Sequence, residues 1–200
     1  AFIPSRKDAE VNATAMMRVG EDKTREANDG FDGSWVAHPD LVGAVLEVFN
    51  AKLGTRPNQK DRLREEVRTT RGALLDVAIP GGQVSESGVR TNIRVALEYI
   101  ENWLDGRGAV GIANLMEDSA TAEISRTQLR QWVSQGVTLA DGRRCTPELY
   151  RQFREEEATR LAATSSDTAR LKSSAALMDH LVLGVAPEDF LTLPAYEQLG

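Results

Sequence analysis

The strand signals of this chain lie mostly in its first 55 residues, and this asymmetry limits the possible folds more than any other feature. Residues 1–4 and 34–37 resemble short apolar strands, and each is followed by a helical pattern, over residues 8–28 and 39–53. A strand–helix–strand–helix order with short connections is typical of an α/β fold with parallel strands. Because two such units cannot form a stable sheet or close a barrel, residues 1–55 are expected to be part of a larger domain.

After Arg56-Pro57-Asn58 the pattern becomes helical, which predicts a mainly α second domain over residues 56–200. The strongest helix signal runs from a cap at Ser85 or Ser87 to Leu104, with apolar residues recurring every three or four positions. Further helices are expected at residues 59–67, 70–77 and 146–163, and a last long helix is expected between a cap within residues 164–167 and a stop at Gly184.

Composition excludes several classes of protein. The formal net charge of −6 argues against a generic nucleic-acid or anionic-membrane binder. No apolar run is long enough to span a bilayer and no secretory signal begins the sequence, so a cytoplasmic protein is expected. With Cys145 as the only cysteine and only His38 and His180 as histidines, a metal would have to be a hard cation held by oxygen atoms. The acidic run at residues 155–157 is expected to be a solvated helix face.

Asp118 is the best candidate for chemistry. The glycine-rich residues 106–111 disfavour a helix, whereas residues 119–135 favour one, so Asp118 is expected at or beside the N-cap. The apolar residues Ile124, Leu129, Trp132 and Val133 are expected to form one stripe along this helix. From position alone, an ordinary capping aspartate is the simpler interpretation, and a catalytic carboxylate is the alternative.

Several strings of the sequence point to one enzyme family. They are NLMEDSATAEISR at residue 114 followed by Gln131-Trp132, AFIPSRKD at 1, GFDGSWVAHPDL at 30, RPNQ at 56, NIRVALEYIENWL at 92 and DFLTLPAYEQL at 189. In this order they resemble the C-terminal portion of malate synthases of the A type. The resemblance covers nearly all 200 residues.

The resemblance implies a fold and a reaction. The family joins acetyl-CoA to glyoxylate with water, giving malate and CoA in the glyoxylate cycle, and it uses Mg²⁺. Its fold is a TIM (β/α)₈ barrel followed by a C-terminal helical plug domain. Residues 1–55 would then be the last two βα units of the barrel, and residues 56–200 the plug.

The resemblance also assigns roles to residues. It makes Asp118 the base that deprotonates the acetyl methyl group, and it places Trp35, Val36 and Pro39 along the acetyl-CoA cleft. The arginine and the metal ligands of the family belong to earlier barrel strands, so this chain holds no metal ligand. Its expected partner is the missing N-terminal barrel segment, without which the chain would be inactive.

Some assignments remain open at this stage. Trp35 could instead pack between barrel and plug, and Glu117 could orient the Asp118 loop or, as favoured here, be its exposed neighbour. Ser119 stands where the family usually has alanine. Two other functions also fit the sequence: a non-catalytic helical interaction module, or a malyl-CoA lyase or thioesterase-like enzyme using the same deprotonation chemistry.

Overall fold

A computed structural model describes residues 2–199, which form two compact units. Unit 1 contains the described residues up to Ile79 together with Ala113–Met116. Unit 2 contains Pro80–Ile112 and the described residues from Glu117 onward. The compact units separate after Ile79, because Gln59 and its neighbours fold back onto the first helices. The domain boundary expected near residue 55 stays a prediction.

Helices make up most of the described chain. In unit 1 they are α1 (Ala9–Asp29), α2 (Val42–Leu53), which follows a 3₁₀ turn at Pro39–Leu41, and α3 (Arg71–Leu75). In unit 2 they are α4 (Glu86–Leu104), α5 (Ser119–Gln135), α6 (Pro147–Ala162), α7 (Thr168–Leu183) and α8 (Thr192–Tyr196). Two short strands, β1 (Val110–Ile112) and β2 (Leu115–Glu117), form a two-stranded hairpin. Within residues 2–199, no helix is both long and apolar enough to cross a membrane.

Unit 1 is built on the packing of α1 against α2. The Asp8 side chain caps α1 by accepting the amide hydrogens of Glu10 and Val11, and Gly30 ends the helix with a φ of 107° that suits glycine. Both limits agree with the sequence expectation. The core of the unit consists of Val19, Ala27, Leu41, Val45 and Phe49.

The two strands expected in unit 1 are not formed as strands among the described residues. Phe2 makes one isolated antiparallel bridge to Leu115, and residues 34–37 have no strand assignment; Ala1 lies outside the described residues. A strand exists only through hydrogen bonds to a neighbouring strand, and these two segments do not pair with each other. This part of the expected βα pattern is therefore wrong for the chain as described.

The segment after α2 also differs from the expectation. Residues 59–67 form turns where a helix was expected, and the predicted helix over residues 70–77 is confined to α3. The Gln59 side chain explains the difference, because it is buried and donates hydrogen bonds to the carbonyl oxygens of Ala27 and Phe31. These contacts hold the segment against the end of α1.

Unit 2 is a helical bundle organised around α4, which packs against α5, α6 and α7. Ser85 caps α4 and Asp105 ends it, as the sequence predicted. A further cap at Thr146 begins α6, and an antiparallel bridge between Thr138 and Arg144 closes a small hairpin before it. The largest fully buried side chains of this unit are Ile93, Leu97, Tyr99, Ile100, Ile112, Leu129, Tyr150, Phe153, Met178, Leu181 and Leu191.

Two expectations about unit 2 are wrong. Ile124 is 59% exposed, because the buried stripe of α5 follows residues 122, 125, 126, 129 and 133, and Ile124 lies on the other side of the helix. Glu157 is only 3% exposed and does not belong to a solvated face. It pairs with Arg90 at 3.0 Å and with Arg160, and the Arg90 guanidinium also stacks on the Phe153 ring at 4.1 Å from its centroid.

Candidate active site

The start of α5 is reached through the β1–β2 hairpin. Its two turn residues, Ala113 and Asn114, have φ angles of 48° and 63°. A two-residue hairpin turn with positive φ at both central positions matches the right-handed twist of the strands. Asparagine tolerates this conformation, whereas alanine adopts it at a cost in strain. The Asn114 side chain also donates a hydrogen bond to the Ile3 carbonyl oxygen at 3.0 Å.

Asp118 is the N-cap of α5, as the sequence predicted. Its backbone is extended, with φ −125° and ψ −174°, and its Oδ1 accepts the Ala120 amide hydrogen at 2.9 Å. The side chain is exposed. Within residues 2–199 this is the one hydrogen bond to the Asp118 side chain, so its Oδ2 is free to accept a proton. The arrangement can therefore serve general-base chemistry as well as capping.

Glu117, directly before Asp118, is not the exposed neighbour that the sequence favoured. Its side chain is 9% exposed, and its Oε2 accepts a hydrogen bond from the Thr121 hydroxyl. Glu117 ends β2, where side chains alternate between the two faces of the ribbon.

Tyr99 is a residue of this region that the sequence assigned only to packing. It is buried on α4, and its hydroxyl donates a hydrogen bond to the Gly108 carbonyl oxygen at 2.9 Å. Burial raises the pKa of Tyr99, and the nearby Asp118 carboxylate raises it further, while a hydrogen bond from the Ser119 hydroxyl acts in the opposite direction. Tyr99 thus lies close to the start of α5. A buried tyrosine needs a polar partner, which is the signal that sequence reasoning overlooked.

The candidate cleft residues lie in unit 1. Trp35 is 73% exposed, and together with Val36 it lines a cleft of about 480 Å³ that also includes Phe2, Arg18 and Leu41. Pro39 does not line this cleft, so the structure brings together two of the three predicted residues. Pro39 instead begins the 3₁₀ turn before α2, which is capped by the His38 ring nitrogen accepting the Asp40 amide hydrogen at 3.1 Å.

Comparison with known sequences shows two family matches that together cover nearly the whole chain. Residues 1–77 match the family described as malate synthase, TIM barrel domain, and residues 83–199 match malate synthase, C-terminal. The chain belongs to the malate synthase family. The interval between the two malate synthase matches includes Ile79 and Pro80, where the two compact units separate. Trp35, Val36 and Pro39 fall in the barrel match, and Asp118 falls in the C-terminal match.

Individual malate synthases are similar over the full chain. The malate synthase of Streptomyces clavuligerus is 50% identical over 203 residues, covering 100% of this chain and 38% of that protein. Malate synthase A of Escherichia coli is 45% identical over 205 residues, again covering 100% of the chain and 38% of the relative. The malate synthase of Myxococcus xanthus is 44% identical, and 37% of its length is covered. The chain therefore spans well under half the length of these relatives.

The resemblance to malate synthases implies a magnesium ion, but residues 2–199 do not contain a set of ligands for it. Across residues 2–199, no three histidine, cysteine or acidic side chains are grouped so that they could hold a metal ion. The residues present do not fit a Mg²⁺ site, and no step of the reaction is assigned to the metal. Cys145 is buried among apolar side chains, and this burial raises the pKa of its thiol, so it is not poised as a nucleophile.

Proposed function

We propose that this chain forms the C-terminal part of a malate synthase and supplies the base of its condensation reaction. In this reaction acetyl-CoA and glyoxylate react with water to give malate and CoA. The observation that carries the proposal is the geometry of Asp118. It is an exposed carboxylate with one oxygen fixed by the Ala120 amide and the other free, within the segment that matches the C-terminal family.

In the proposed reaction, the free Oδ2 of Asp118 takes a proton from the methyl group of acetyl-CoA. The resulting enolate carbon attacks the aldehyde carbon of glyoxylate and forms the new C–C bond, and the aldehyde oxygen takes up a proton. Water then cleaves the thioester, which releases CoA and leaves malate. The bond from the Ala120 amide orients Asp118 for the first step, since a base must be within hydrogen-bond reach of the proton that it removes.

A carboxylate is a weak base, and the methyl group of a thioester is only a weak acid. Much of the barrier must therefore be lowered by stabilising the enolate oxygen and by accurate placement of the thioester. We propose that the groups that stabilise the enolate belong to barrel segments outside this chain. This requirement predicts that the 200 residues alone release no CoA from acetyl-CoA and glyoxylate.

The role of unit 1 in this proposal is to contribute the end of the barrel. Trp35 and Val36 lie together at one cleft, and an exposed indole is a suitable surface for a CoA group. We assign Pro39 a supporting role, because it fixes the turn that follows these two residues. Unit 2, with its bundle around α4, corresponds to the plug.

The proposal is tested with the full-length protein that contains this chain. CoA release is followed with a thiol reagent, and we expect it to require both acetyl-CoA and glyoxylate. Cleavage of malyl-CoA to acetyl-CoA and glyoxylate, without net thioester hydrolysis, would instead identify a lyase. Absence of both activities, together with tight binding of the 200-residue chain to the N-terminal barrel segment, would identify an interaction module.

A further inference from the structure

Glu117 is a buried carboxyl group that the proposed reaction does not use. Its side chain is 9% exposed, and its partner is a neutral one, the Thr121 hydroxyl. Burying a carboxyl group costs free energy unless strong hydrogen bonds or a cation offset the loss of water. The placement of Glu117 therefore calls for a physical explanation.

Glu157, the other buried glutamate of unit 2, shows what a carboxylate with a purely structural role looks like. It is 3% exposed, and two arginines, Arg90 and Arg160, pair with it. Among the ion pairs of residues 2–199, none involves Glu117. Its one hydrogen bond reaches across the residue that we propose as the base.

The geometry around Asp118 shows how this bond could act. Asp118 lies between Glu117 and the first turn of α5, and Asp118 itself accepts two of the three hydrogen bonds formed there. The Ala120 amide donates to the Asp118 carboxylate at 2.9 Å, the Thr121 amide donates to the Asp118 carbonyl oxygen at 3.1 Å, and the Thr121 hydroxyl donates to Glu117. The bond from Thr121 to Glu117 therefore spans the Asp118 backbone from one side to the other.

We propose that Glu117 and Thr121 form a side-chain clasp that fixes the backbone of Asp118 and thereby the direction of its free oxygen. Both are positioning residues, because they act through Asp118 and do not touch the reacting atoms. In the usual capping box, the N-cap side chain and the third helical residue bond each other's backbone amides. Here Thr121, the third helical residue, instead bonds the side chain of Glu117, the residue before the N-cap, and within residues 2–199 the Asp118 carboxylate accepts only the Ala120 amide hydrogen.

The clasp gives a function to the burial of Glu117. An exposed carboxylate would exchange the Thr121 hydroxyl for water, whereas a shielded one keeps it as its partner. Displacement of a catalytic group by about 1 Å can lower the rate about 100-fold. The clasp thus deepens the proposed function and rests on it, because it matters for turnover only if Asp118 is the base.

The test compares variants of the full-length protein in the acetyl-CoA and glyoxylate assay. Thr121→Val removes the hydroxyl donor, and we expect kcat to fall about 10- to 100-fold with little change in the KM for acetyl-CoA. Thr121→Ser keeps the hydroxyl and should restore most of the activity. Glu117→Gln keeps an acceptor oxygen and should be close to wild type, whereas Glu117→Ala should resemble Thr121→Val. Because the clasp is one interaction, the double variant should be no worse than either single loss.

Matched controls separate the clasp from general damage to α5. Thr127→Val changes an exposed threonine of the same helix and should leave kcat unchanged. The pH at which activity is half-maximal should be the same in Thr121→Val and in the wild type, since the clasp acts through position. Full activity in Thr121→Val would overturn the proposal. A Glu117→Gln variant as slow as Glu117→Ala would also overturn the proposal, because the loss of activity would then follow from the lost negative charge and not from the lost hydrogen bond.

The Asp118→Asn variant distinguishes failure of the clasp from failure of the proposed function. If this variant is inactive while Thr121→Val is fully active, the clasp alone is wrong. If Asp118→Asn is active, the assignment of the base is wrong, and the clasp falls with it. Should Glu117→Ala not fold, the Thr121 series still decides the question.

Discussion

The starts of α5 and α7 are both capped by an aspartate, but the two aspartates are bonded differently. Asp167, at α7, accepts the amide hydrogens of both Ala169 and Arg170 at 3.0 Å, and it forms an ion pair with Arg170 at 3.3 Å. Asp118, at α5, accepts one amide hydrogen. An N-cap side chain usually accepts one amide hydrogen, from the second or third helical residue, as Ser85 and Thr146 also do. Asp118 differs from Asp167 in that, within residues 2–199, its second oxygen has no cation beside it.

The two buried glutamates of unit 2 also differ in the partners that hold their carboxyl groups. Glu157 lies deep in the bundle and is neutralised by arginines, whereas Glu117 beside the proposed base is buried with a threonine. Carboxylates that hold the fold together are thus paired with cations. Those at the start of α5 are held by single hydrogen bonds, and within residues 2–199 neither Glu117 nor Asp118 forms an ion pair.

The largest expected effect concerns the paired carboxylates. Arg90→Ala should lower the free energy of unfolding by about 3–5 kcal/mol, because it leaves Glu157 buried with only the more exposed Arg160 as a partner. It also removes the contact with the Phe153 ring. Urea unfolding of the full-length protein, followed by tryptophan fluorescence, measures this loss. Arg151→Ala, which changes an exposed arginine of α6, is the control and should be close to neutral. Equal losses of unfolding free energy in Arg90→Ala and Arg151→Ala would show that the pairing of Glu157 with Arg90 does not stabilise the fold.

A smaller effect is expected from the two caps. Asp167→Ala removes two amide bonds and an ion pair, and it should lower the Tm of the full-length protein by about 1–2 °C. Asp118→Ala removes one bond and should lower the Tm less. Thermal unfolding at neutral pH compares them directly. A larger fall in Tm for Asp118→Ala than for Asp167→Ala would show that Asp118 contributes more to stability as a cap. It would then count against the proposal that one oxygen of Asp118 is free.

The smallest effect is a dependence on pH. The amide bond from Arg170 is the main interaction that holds the pKa of Asp167 below its usual value, with help from the charge of Arg170 and the Ala169 amide. Its stabilising effect is therefore present above the ordinary aspartate pKa of about 3.9 and is lost as the pH falls through the lower folded-state pKa. The Tm difference between wild type and Asp167→Asn should shrink between pH 6 and pH 3. A difference that does not change with pH would show that charge plays no part in this cap.

The helices could be predicted from sequence because their signals are local. Helices expected to begin at Asp8 and Thr146, a cap expected at Ser85 or Ser87, and a cap expected at or beside Asp118 all follow from the preferences of single side chains. The structure confirms them, with caps at Asp8, Ser85, Asp118 and Thr146. The strands could not be predicted in the same way. Residues 34–37 have the composition of a strand, but pairing requires neighbours that the described chain does not offer them.

Side-chain environments were harder to predict than helices, although one signal was available. Glu157 was placed on a solvated face because it belongs to an acidic run, yet it continues the buried stripe of Tyr150, Phe153 and Leu161 at helical spacing. Periodicity was the better guide than charge there. The bond between Glu117 and Thr121 depends on how β2 joins α5, and no local pattern reveals it.

A comparison of Asp118→Asn with Asp167→Asn in the full-length protein tests most directly whether Asp118 is the base. Both variants keep a side chain that can cap a helix, and only the first removes the proposed base. We predict that Asp118→Asn lowers kcat by about 10²–10⁴-fold while acetyl-CoA still binds, and that Asp167→Asn keeps the wild-type kcat. Wild-type turnover in Asp118→Asn would contradict the account and leave Asp118 as an ordinary helix cap.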